Sequence, residues 1–361
     1  MMYHHADPLS SPVLTRAGLT INSRIGSACD FHRITMPFML SNIKPKKPVF
    51  VFNRLPTFDI DSVFAMQAQG VRIVVDMDDH FELHSTHPLY DAYRRDGTAL
   101  KIARCVRLAD AVLVTTPTLA DALRQYNDNI HVVPNALPFD SHGFTRSTDT
   151  ESGTPFVFAG GSTHRNDLLS VRECFEPEEL TLAGYDDEHP EWRAIANEDW
   201  PGAARKPIQR LLDFRYFMAQ DNSWQLAGAR FESKAHYRKW TADRLDGDYM
   251  SAYDGHRCAI APLLDTPFNA CKSNLKILEA GAKGIPIICS SVRPYYNPTD
   301  YCADTGALFA AQPVTWRRTL DCVRNDPGFA RECGDWLAEH VRKHYHLDDA
   351  NELRRQIIDS L

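Results

Sequence analysis

The sequence predicts an α/β protein with two Rossmann-like domains, each a doubly wound parallel sheet flanked by helices. Short apolar runs alternate with helical stretches, as at 48–53, 58–69 and 72–76, and this order is typical of right-handed parallel strand–helix–strand units. The length of 361 residues suffices for two hydrophobic cores. A polar stretch at 140–155, rich in Ser, Thr and Gly, separates the two series of strands. We therefore expect a first domain at 1–145 and a second at 146–335.

The composition indicates a globular protein of a reducing compartment. Hydrophobic residues make up 43% and charged residues 24% of the chain, which is ordinary for a globular domain. No apolar run approaches the roughly 20 residues of a membrane span, and the first twelve residues lack the pattern of a signal peptide. The nine cysteines contain no C-x-x-C pair, which argues against a zinc ribbon or a disulfide framework. We expect a cytoplasmic protein.

The first 58 residues are locally basic, although the whole chain has a net charge of −7. Only Asp7 and Asp30 oppose seven basic residues in this stretch: Arg16, Arg24, Arg33, Lys44, Lys46, Lys47 and Arg54. Such a surplus suits either a solvated surface or a face that meets a polyanion.

In the first domain, apolar strands at 48–53, 72–76, 109–116 and 131–135 alternate with helices at 58–69, 89–108 and 118–126. The second of these strands delivers Asp76, Asp78, Asp79 and His80 to its carboxyl end, which is where open α/β sheets place their sites.

The D-x-D-D stretch at 76–79 has three interpretations. Its carboxylates could orient a substrate or take part in catalysis, hold Mg²⁺ or Mn²⁺, or cap local turns. The spacing of His80, His84 and His87 also invites a zinc interpretation, but Pro88 disfavours a helix at His87.

The second domain opens with a strand at 156–159, and Gly160 and Gly161 follow it. Small residues after a first strand let backbone amides approach a phosphate, and Arg165 adds a cation nearby. Further strands are predicted at 180–184, 224–228, 258–262 and 285–289, with helices at 315–325 and 329–344.

The stretch from 256 to 295 reads as strand, loop, helix and strand, and its helix at 273–284 ends at Gly284. The start of this helix collects polar residues: Asn269, Lys272, Ser273 and Lys276, with Glu279 one turn further on. A helix N-terminus with two lysines suits a diphosphate, and a carboxylate beyond it can accept hydrogen bonds from ribose hydroxyls.

These motifs resemble the GT-B glycosyltransferases, especially the large retaining group that includes many bacterial polysaccharide enzymes. The pattern N-x2-K-S-x2-K-x2-E of one branch matches 269–279, G-G-S-T-H-x-x-D-L matches 160–168, and His87-Pro88 follows the D-x-D-D stretch as in similar proteins. The group's Glu-x7-Glu motif is matched only at Glu279, because its first glutamate falls on Cys271. The resemblance extends in patches from about residue 24 to 345.

The resemblance implies a cleft between the two domains, a final helix at 336–361 that packs back on the first domain, and no metal requirement. It implies acceptor or catalytic roles for Asp78, Asp79 and His80. It also implies donor binding by nine residues: Arg33, Gly161, His164, Arg165, Asn269, Lys272, Ser273, Lys276 and Glu279.

We therefore expect a glycosyltransferase that takes a sugar from a nucleotide-diphosphate sugar, with a UDP-sugar as the first candidate, and retains the anomeric configuration. The acceptor would be a saccharide or small molecule. One alternative is a phage-type enzyme that glycosylates hydroxymethylated pyrimidines in DNA. Another is a sugar-nucleotide epimerase or a non-catalytic nucleotide-sugar binding module. A NAD-dependent oxidoreductase is disfavoured, because no G-x-G-x-x-G follows a predicted strand.

Overall fold

The computed structural model describes residues 13–24, 27–85, 87–207, 224–226, 249–295 and 305–361. The chain forms two compact units. Unit 1 takes its residues from 1–135, 210–247 and 347–361, and unit 2 from 136–209 and 248–346.

The described residues of unit 1 form a seven-stranded sheet with the order β10-β1-β2-β3-β4-β5-β6. The neighbours from β2 to β6 pair in parallel, whereas β1 pairs antiparallel with both β2 and β10. The strands are β1 (Val13–Arg16), β2 (Leu19–Asn22), β3 (Val49–Asn53), β4 (Arg72–Met77), β5 (Ala111–Val114), β6 (Ile130–Val132) and β10 (Gln225–Leu226). All residues of β3 and β5 are buried, as expected for strands covered on both faces.

The helices of unit 1 follow its parallel strands. A helical segment consists of α1 (Ala28–Asp30), a π-helical turn (Phe31–Thr35) and α2 (Met36–Met39). The others are α3 (Ile60–Gln67), α4 (Tyr90–Arg95), α5 (Thr98–Leu108) and α6 (Pro117–Leu123). Helix α6 starts where the Thr116 hydroxyl accepts a hydrogen bond from the Leu119 amide and Pro117 takes the first position, so its start is encoded locally.

In unit 2, the part of the chain that the structure describes forms a six-stranded sheet with the order β13-β12-β11-β7-β8-β9, and all of these neighbours pair in parallel. Its strands are β7 (Phe156–Ala159), β8 (Leu180–Ala183), β9 (Ala204–Lys206), β11 (Cys258–Ala261), β12 (Ile287–Ser290) and β13 (Ala307–Ala310). Its α-helices are α7 (Arg165–Leu169), α8 (Pro190–Ala194), α9 (Pro267–Ala270), α10 (Leu275–Lys283), α11 (Pro313–Asn325) and α12 (Pro327–His344).

The unit 2 core includes an aromatic cluster on one side of the sheet. Phe156, Phe158, Trp192, Trp200 and Trp316 are buried there with the aliphatic residues of β8 and α11. Burying several large aromatic side chains supplies much of the hydrophobic stabilisation of a domain of this size.

The chain returns to unit 1 in its last helix, α13 (Leu347–Asp359). The Asn351 amide donates a hydrogen bond to the Pro37 carbonyl, 314 residues away in sequence. The predicted returning segment at 336–361 is therefore longer than the observed one, since 336–344 belong to α12 in unit 2.

The units divide at 135/136, ten residues before the predicted boundary. The reason is that 136–144 already bond to unit 2: Leu137 pairs with His346, and Asp140 forms an ion pair with Arg342 at 2.8 Å. The polar 140–155 stretch is thus part of unit 2.

The strand predicted at 224–228 belongs to another sheet than expected. Its described residues form β10, which pairs with β1 in unit 1, and the Arg16 guanidinium lies 4.3 Å from the centroid of the buried Trp224 ring. The local apolar pattern identified a strand but not its partner, because the pairing with the edge of β1 joins segments that are distant in sequence. Across the described part of the chain, no helix combines the length and apolarity that crossing a membrane would require.

Candidate functional site

The carboxyl edge of the unit 1 sheet carries a cluster of charged residues. Asp76 lies near the end of β4, and Asp78 and Asp79 follow that strand. Arg54 follows the neighbouring strand β3 and reaches both of the later aspartates. The predicted D-x-D-D stretch therefore lies at a carboxyl strand end, beside a cation that the sequence interpretation missed.

Asp78 is held from several directions. Its Oδ1 accepts hydrogen bonds from Arg54 Nε at 2.8 Å and from Asn53 Nδ2 at 3.2 Å, and the Cys29 thiol also donates to the carboxylate. Burial alone would raise the pKa of Asp78, but the charge of Arg54 and these hydrogen bonds outweigh it and hold the pKa well below its usual range. Asp78 is therefore an ionised, immobilised carboxylate, which is a poor proton acceptor.

Asp79 and His80 differ in what they can offer. Asp79 Oδ2 accepts a hydrogen bond from Arg54 Nη2 at 3.1 Å. His80 Nδ1 accepts the amide proton of Glu82 at 3.0 Å, and burial lowers the pKa of His80. The neutral ring therefore carries its proton on Nε2, so that His80 can donate a hydrogen bond to a ligand oxygen but is not placed as a base.

Arg33 is fully buried within unit 1. Its Nε and Nη2 donate to the two carboxylate oxygens of Asp76 at 2.7 and 3.0 Å, and its Nη1 donates to Asn135 Oδ1 at 3.1 Å. A guanidinium with no exposed surface cannot contact a diphosphate in this arrangement, so we correct its predicted donor role to a structural one.

The three histidines considered for zinc are not brought together as a metal site. Among the described residues, no group of three or more His, Cys, Asp or Glu side chains has a geometry that could hold a metal ion. His87 Nδ1, like that of His80, accepts a backbone amide proton, here from Leu89 at 3.1 Å. The histidines instead shape the loop after β4.

In unit 2, the turn after β7 is built around a close approach. A Cβ on Gly160 would lie 2.6 Å from the Phe158 ring and 3.2 Å from Lys276 Nζ, so only glycine fits there. A Cβ on Gly161 would meet nothing closer than Thr163 Oγ1 at 3.7 Å. The exposed backbone of Gly161 therefore remains open to a ligand.

Two lysines lie at the start of α10, and one of them, Lys276, contacts this turn. The Lys276 ammonium donates a hydrogen bond to the Ala159 carbonyl and lies 5.5 Å from the Phe158 ring centroid. Lys272 Nζ lies 4.8 Å from the Phe268 ring centroid. Burial lowers the pKa of Lys276, Glu279 raises it and the charge of Lys272 lowers it again, so the two cations act on each other. Ser273 lies partly exposed between them in sequence, just before Asn274 at the start of the helix.

Asp167 connects three parts of this region. Its Oδ2 is 2.7 Å from His164 Nδ1, and its Oδ1 accepts hydrogen bonds from the Leu264 amide at 2.9 Å and Asn269 Nδ2 at 3.3 Å. Asn269 also donates to the Leu264 carbonyl at 2.9 Å, so its amide orients the loop. Asp167 was not among the predicted site residues, although it is the aspartate of the G-G-S-T-H-x-x-D-L pattern.

His164 lies in the field of both lysines. Burial lowers the pKa of His164, the hydrogen bond to Asp167 raises it, and Lys272 and Lys276 lower it again. Because the carboxylate can only accept, the Nδ1–H of His164 donates to Asp167 and leaves Nε2 as the second functional atom of the ring.

Glu279 is buried one turn into α10 and is held by two tyrosines. Its Oε2 accepts a hydrogen bond from the Tyr253 hydroxyl at 2.6 Å, and its Oε1 accepts one from Tyr249 at 3.1 Å. Burial raises the pKa of Glu279, while Lys276 and the two hydroxyls lower it. The tyrosines precede β11 and carried no motif, so sequence interpretation did not find them.

Arg165 is paired with carboxylates of unit 2. Its Nε and Nη2 donate to the two oxygens of Asp199 at 2.6 and 3.1 Å, and Glu191 and Glu198 lie within 3.7 Å of its guanidinium. With three carboxylates around it, its charge is offset, so we do not retain it among the diphosphate partners. Seven of the predicted donor residues thus belong to the region around the ends of β7 and β11 and the start of α10, and Arg33 and Arg165 do not.

No family model matches this sequence, and no curated protein matches it at a significant level. Solved structures do match its fold. Sucrose-phosphate synthase from Thermosynechococcus elongatus is 15% identical, with a TM-score of 0.54 over 87% of this chain and 75% of that one. HepE from Anabaena, in complex with UDP and glucose, is 10% identical with a TM-score of 0.54 over 87% and 78%. TarM is 11% identical with a TM-score of 0.53 over 89% of this chain and 57% of its own.

These neighbours are GT-B glycosyltransferases, and the chain has the GT-B fold that its motifs predicted, with two parallel-sheet α/β units. At these identities the likeness concerns the fold, so the function rests on the residues of this chain.

Proposed function

We propose that this chain is a glycosyltransferase that moves a sugar from a nucleotide-diphosphate sugar to an acceptor hydroxyl. The observation that carries the proposal is the approach of Lys276 to the glycine turn after β7, with Lys272 close enough for its charge to act on Lys276 and His164 and with Glu279 one turn further along the same helix. HepE structures are described with UDP and with UDP-glucose, which makes UDP-sugars the first donors to test.

The donor end of the mechanism belongs to unit 2. When the glycosidic bond to the diphosphate breaks, negative charge develops on the leaving phosphate oxygen. Preorganised cations and free helix amides stabilise such charge more strongly in a water-poor site than in bulk water. Lys272 and Lys276 would supply the cations, the first turn of α10 would add the positive end of the helix dipole, and Gly161 lets the phosphate approach. Glu279 would accept hydrogen bonds from the ribose hydroxyls, in exchange with the tyrosine hydroxyls that it accepts now.

The acceptor end belongs to unit 1. Asp79 would orient or receive the acceptor proton, and His80 would donate a hydrogen bond to an acceptor oxygen. Asp78 would hold Arg54 in place. We further propose retention of anomeric configuration without a covalent enzyme intermediate.

We favour a saccharide or small-molecule acceptor over hydroxymethylated DNA. The basic surplus of the first 58 residues is largely consumed within the fold, because Arg24 pairs with Asp30, Arg33 with Asp76 and Arg54 with Asp78. Arg16 donates to the Phe38 carbonyl at 3.2 Å. What is left of the surplus is too small to build an extended phosphate-binding face.

The test is a panel of UDP-, GDP- and dTDP-sugars against saccharide and hydroxymethylated-DNA acceptors, with products identified by mass spectrometry. We expect Lys272→Ala and Glu279→Ala each to lower transfer by more than about tenfold in a protein that still unfolds cooperatively on heating. Only Glu279→Ala should also lower the melting temperature, because it leaves the Tyr249 and Tyr253 hydroxyls without this acceptor. Lys343→Ala, at an exposed lysine of α12, is the matched control and should leave transfer unchanged. Near-normal turnover in both site variants would refute the assignment of Lys272 and Glu279 to a donor site. Nucleotide release without any acceptor would instead indicate an epimerase or a hydrolase.

A second variant separates donor binding from folding. In the free protein a methyl group at Gly161 meets only ordinary van der Waals contact, so Gly161→Ala should fold normally. If the diphosphate lies against this backbone, the methyl group blocks it, and UDP affinity measured by calorimetry should fall by about tenfold or more. Unchanged affinity would place the phosphates elsewhere.

A further inference from the structure

Arg54 occupies a backbone conformation that its side chain does not favour. Its φ is +56°, in the left-handed region that is unfavourable for a non-glycine residue. The Arg54 amide continues the pairing of β3 with β4, since it donates to the Asp76 carbonyl at 2.9 Å. Glycine would relieve this strain without losing that hydrogen bond. The local strain therefore suggests that the side chain itself is needed.

The guanidinium of Arg54 lies between the two aspartates that follow β4. Its Nη2 is 2.7 Å from Asp78 Oδ1 and 3.1 Å from Asp79 Oδ2, and its Nε donates to Asp78 Oδ1 at 2.8 Å. Arg54 and both aspartates are each four-fifths or more buried. One cation thus fixes two carboxylates of adjacent residues from a single, preorganised fork.

The same position is the one that a divalent cation would take. Two neighbouring carboxylates are hard oxygen ligands, and without a cation their like charges would repel each other in this largely buried place. Arg54 supplies the positive charge from within the chain. The donors on Asp78 leave it little freedom to turn toward any other cation or substrate.

We propose that Arg54 is a positioning residue of the acceptor site, a built-in cation that fixes Asp78 as its structural partner, orients Asp79 for the acceptor and fills the place of a divalent metal ion. The acceptor part of this inference rests on the proposed function, whereas the metal part does not. Arg54 acts through the two aspartates. It is not proposed to contact the sugar donor, because the proposed donor-binding residues lie in unit 2.

The charged and titratable groups that face Asp78 come from four parts of unit 1. Burial raises the pKa of the Cys29 thiol, which therefore stays protonated and donates, and Arg54 is the nearest cation. The groups that interact with Asp78, or with its partner Arg54, are Arg24, Cys29, Arg54, Asp76, Asp79 and Tyr93. Without the Arg54 charge, the negative charges near Asp78 outnumber the positive ones. The pKa of Asp78 should therefore rise.

The first experiment needs no glycosyl transfer. Mn²⁺ binding to the full chain is measured by electron paramagnetic resonance for the wild type, Arg54→Met, Arg54→Lys and Arg72→Met, and the Asp78 carboxyl is titrated by ¹³C NMR. Arg72→Met is the matched control, because Arg72 pairs with Asp110 elsewhere in unit 1. We expect no Mn²⁺ at Asp78 and Asp79 in the wild type or the control, and both Mn²⁺ binding and a raised Asp78 pKa in Arg54→Met. Arg54→Lys should lie in between.

Mn²⁺ that broadens the Asp78 and Asp79 signals in the wild type would overturn the inference. So would an Arg54→Met protein that titrates like the wild type and binds no Mn²⁺. If Arg54→Met does not fold, the wild-type and Arg54→Lys measurements decide alone.

The second experiment applies once transfer is established. Displacing Asp79 should lower kcat by up to about 100-fold in Arg54→Met, with the KM for the donor nearly unchanged and partial recovery in Arg54→Lys. A rise in donor KM with normal kcat would contradict a role at the acceptor. Loss of activity in Lys272→Ala together with normal kcat in Arg54→Met would refute the role of Arg54 and leave the proposed function standing.

Discussion

The pKa of His164 should depend on whether a diphosphate is bound beside it. In the free protein, burial and the two nearby lysines lower the pKa of His164 against the opposing effect of Asp167. A bound diphosphate would offset the lysine charges and add negative charge close to the ring. The protonated form of His164 should then be favoured.

We therefore predict that UDP binding takes up a proton at His164. The pKa of the free His164 ring lies below its usual value of about 6.5, and we expect it to rise when UDP binds. Proton uptake is therefore largest at a pH between the pKa of the free ring and the pKa of the ring in the complex. UDP affinity falls as the pH increases through that window. Calorimetry in buffers of different ionisation enthalpy measures the uptake. His164→Gln, which has no titrating ring, serves as the control for protons taken up by UDP itself, and equal uptake in both proteins would contradict the prediction.

The partners of three arginines could not be predicted from their positions in the sequence. Arg33 pairs with Asp76 across 43 positions, and Arg165 pairs with Asp199 across 34. Arg54, which had no motif around it, contacts the D-x-D-D carboxylates. A cation's partner is set by contacts between distant segments, so residue type and position near a motif are weak guides to which arginine serves a ligand.

Among the elements of unit 2, helix α10, to which we assign the proposed donor site, packs closely on α12 through glycines. A Cβ on Gly281 would lie 2.7 Å from Val341 of α12, and one on Gly334 of α12 would lie 2.3 Å from the Gly284 carbonyl oxygen. Helix α10 ends at Gly284 with φ +71°, a left-handed conformation suited to glycine. The close packing of α10 against α12 therefore fixes the helix whose other end carries the lysines.

We predict that Gly334→Ala destabilises unit 2 by roughly 1–3 kcal/mol, because its methyl group would collide with backbone atoms of 284–285 that cannot rotate away. Urea unfolding measured by circular dichroism tests this. Gly161→Ala, where the methyl group has room, is the matched control. If the two midpoints shift equally, the close helix packing does not contribute to stability.

At the scale of the whole molecule, the return of the chain to unit 1 places a second arginine beside the Arg33–Asp76 pair. Arg354 of α13 is fully buried, and among the described residues its Nε and Nη2 have no hydrogen-bond partner. Its Nη1 donates to Asn351 Oδ1 at 3.1 Å. Burial, and then the charge of Arg33, lowers the pKa of Arg354. The unit thus buries two cations against one carboxylate, which is costly.

We predict opposite effects for the two buried arginines. Arg354→Met removes an uncompensated charge and should leave stability unchanged or raise it by about 1–4 kcal/mol, whereas Arg33→Met leaves Asp76 without its bidentate partner and should cost about 3–5 kcal/mol. The free energies of unfolding of both variants measure this. Strong destabilisation by Arg354→Met would show that the last helix depends on this guanidinium.

The fold class, the alternation of strands and helices from β3 to β6, and the two strand ends where polar residues collect could all be predicted from the amino-acid sequence. These features follow from local periodicity, caps and turns, as in β7 at Phe156–Ala159 or α10 ending at Gly284. The lysines of α10 and the aspartates after β4 could be singled out for the same reason, because each group lies on one short segment.

The side-chain pairs inside and around the candidate site become visible only in the folded chain. The burial of Arg33, the enclosure of Arg165 by carboxylates, the tyrosines on Glu279, the Arg54 contact with Asp78 and the placement of β10 beside β1 all join distant segments. Such pairings depend on the three-dimensional arrangement of elements, and the free energy that selects them comes from burial and charge compensation that no local pattern records.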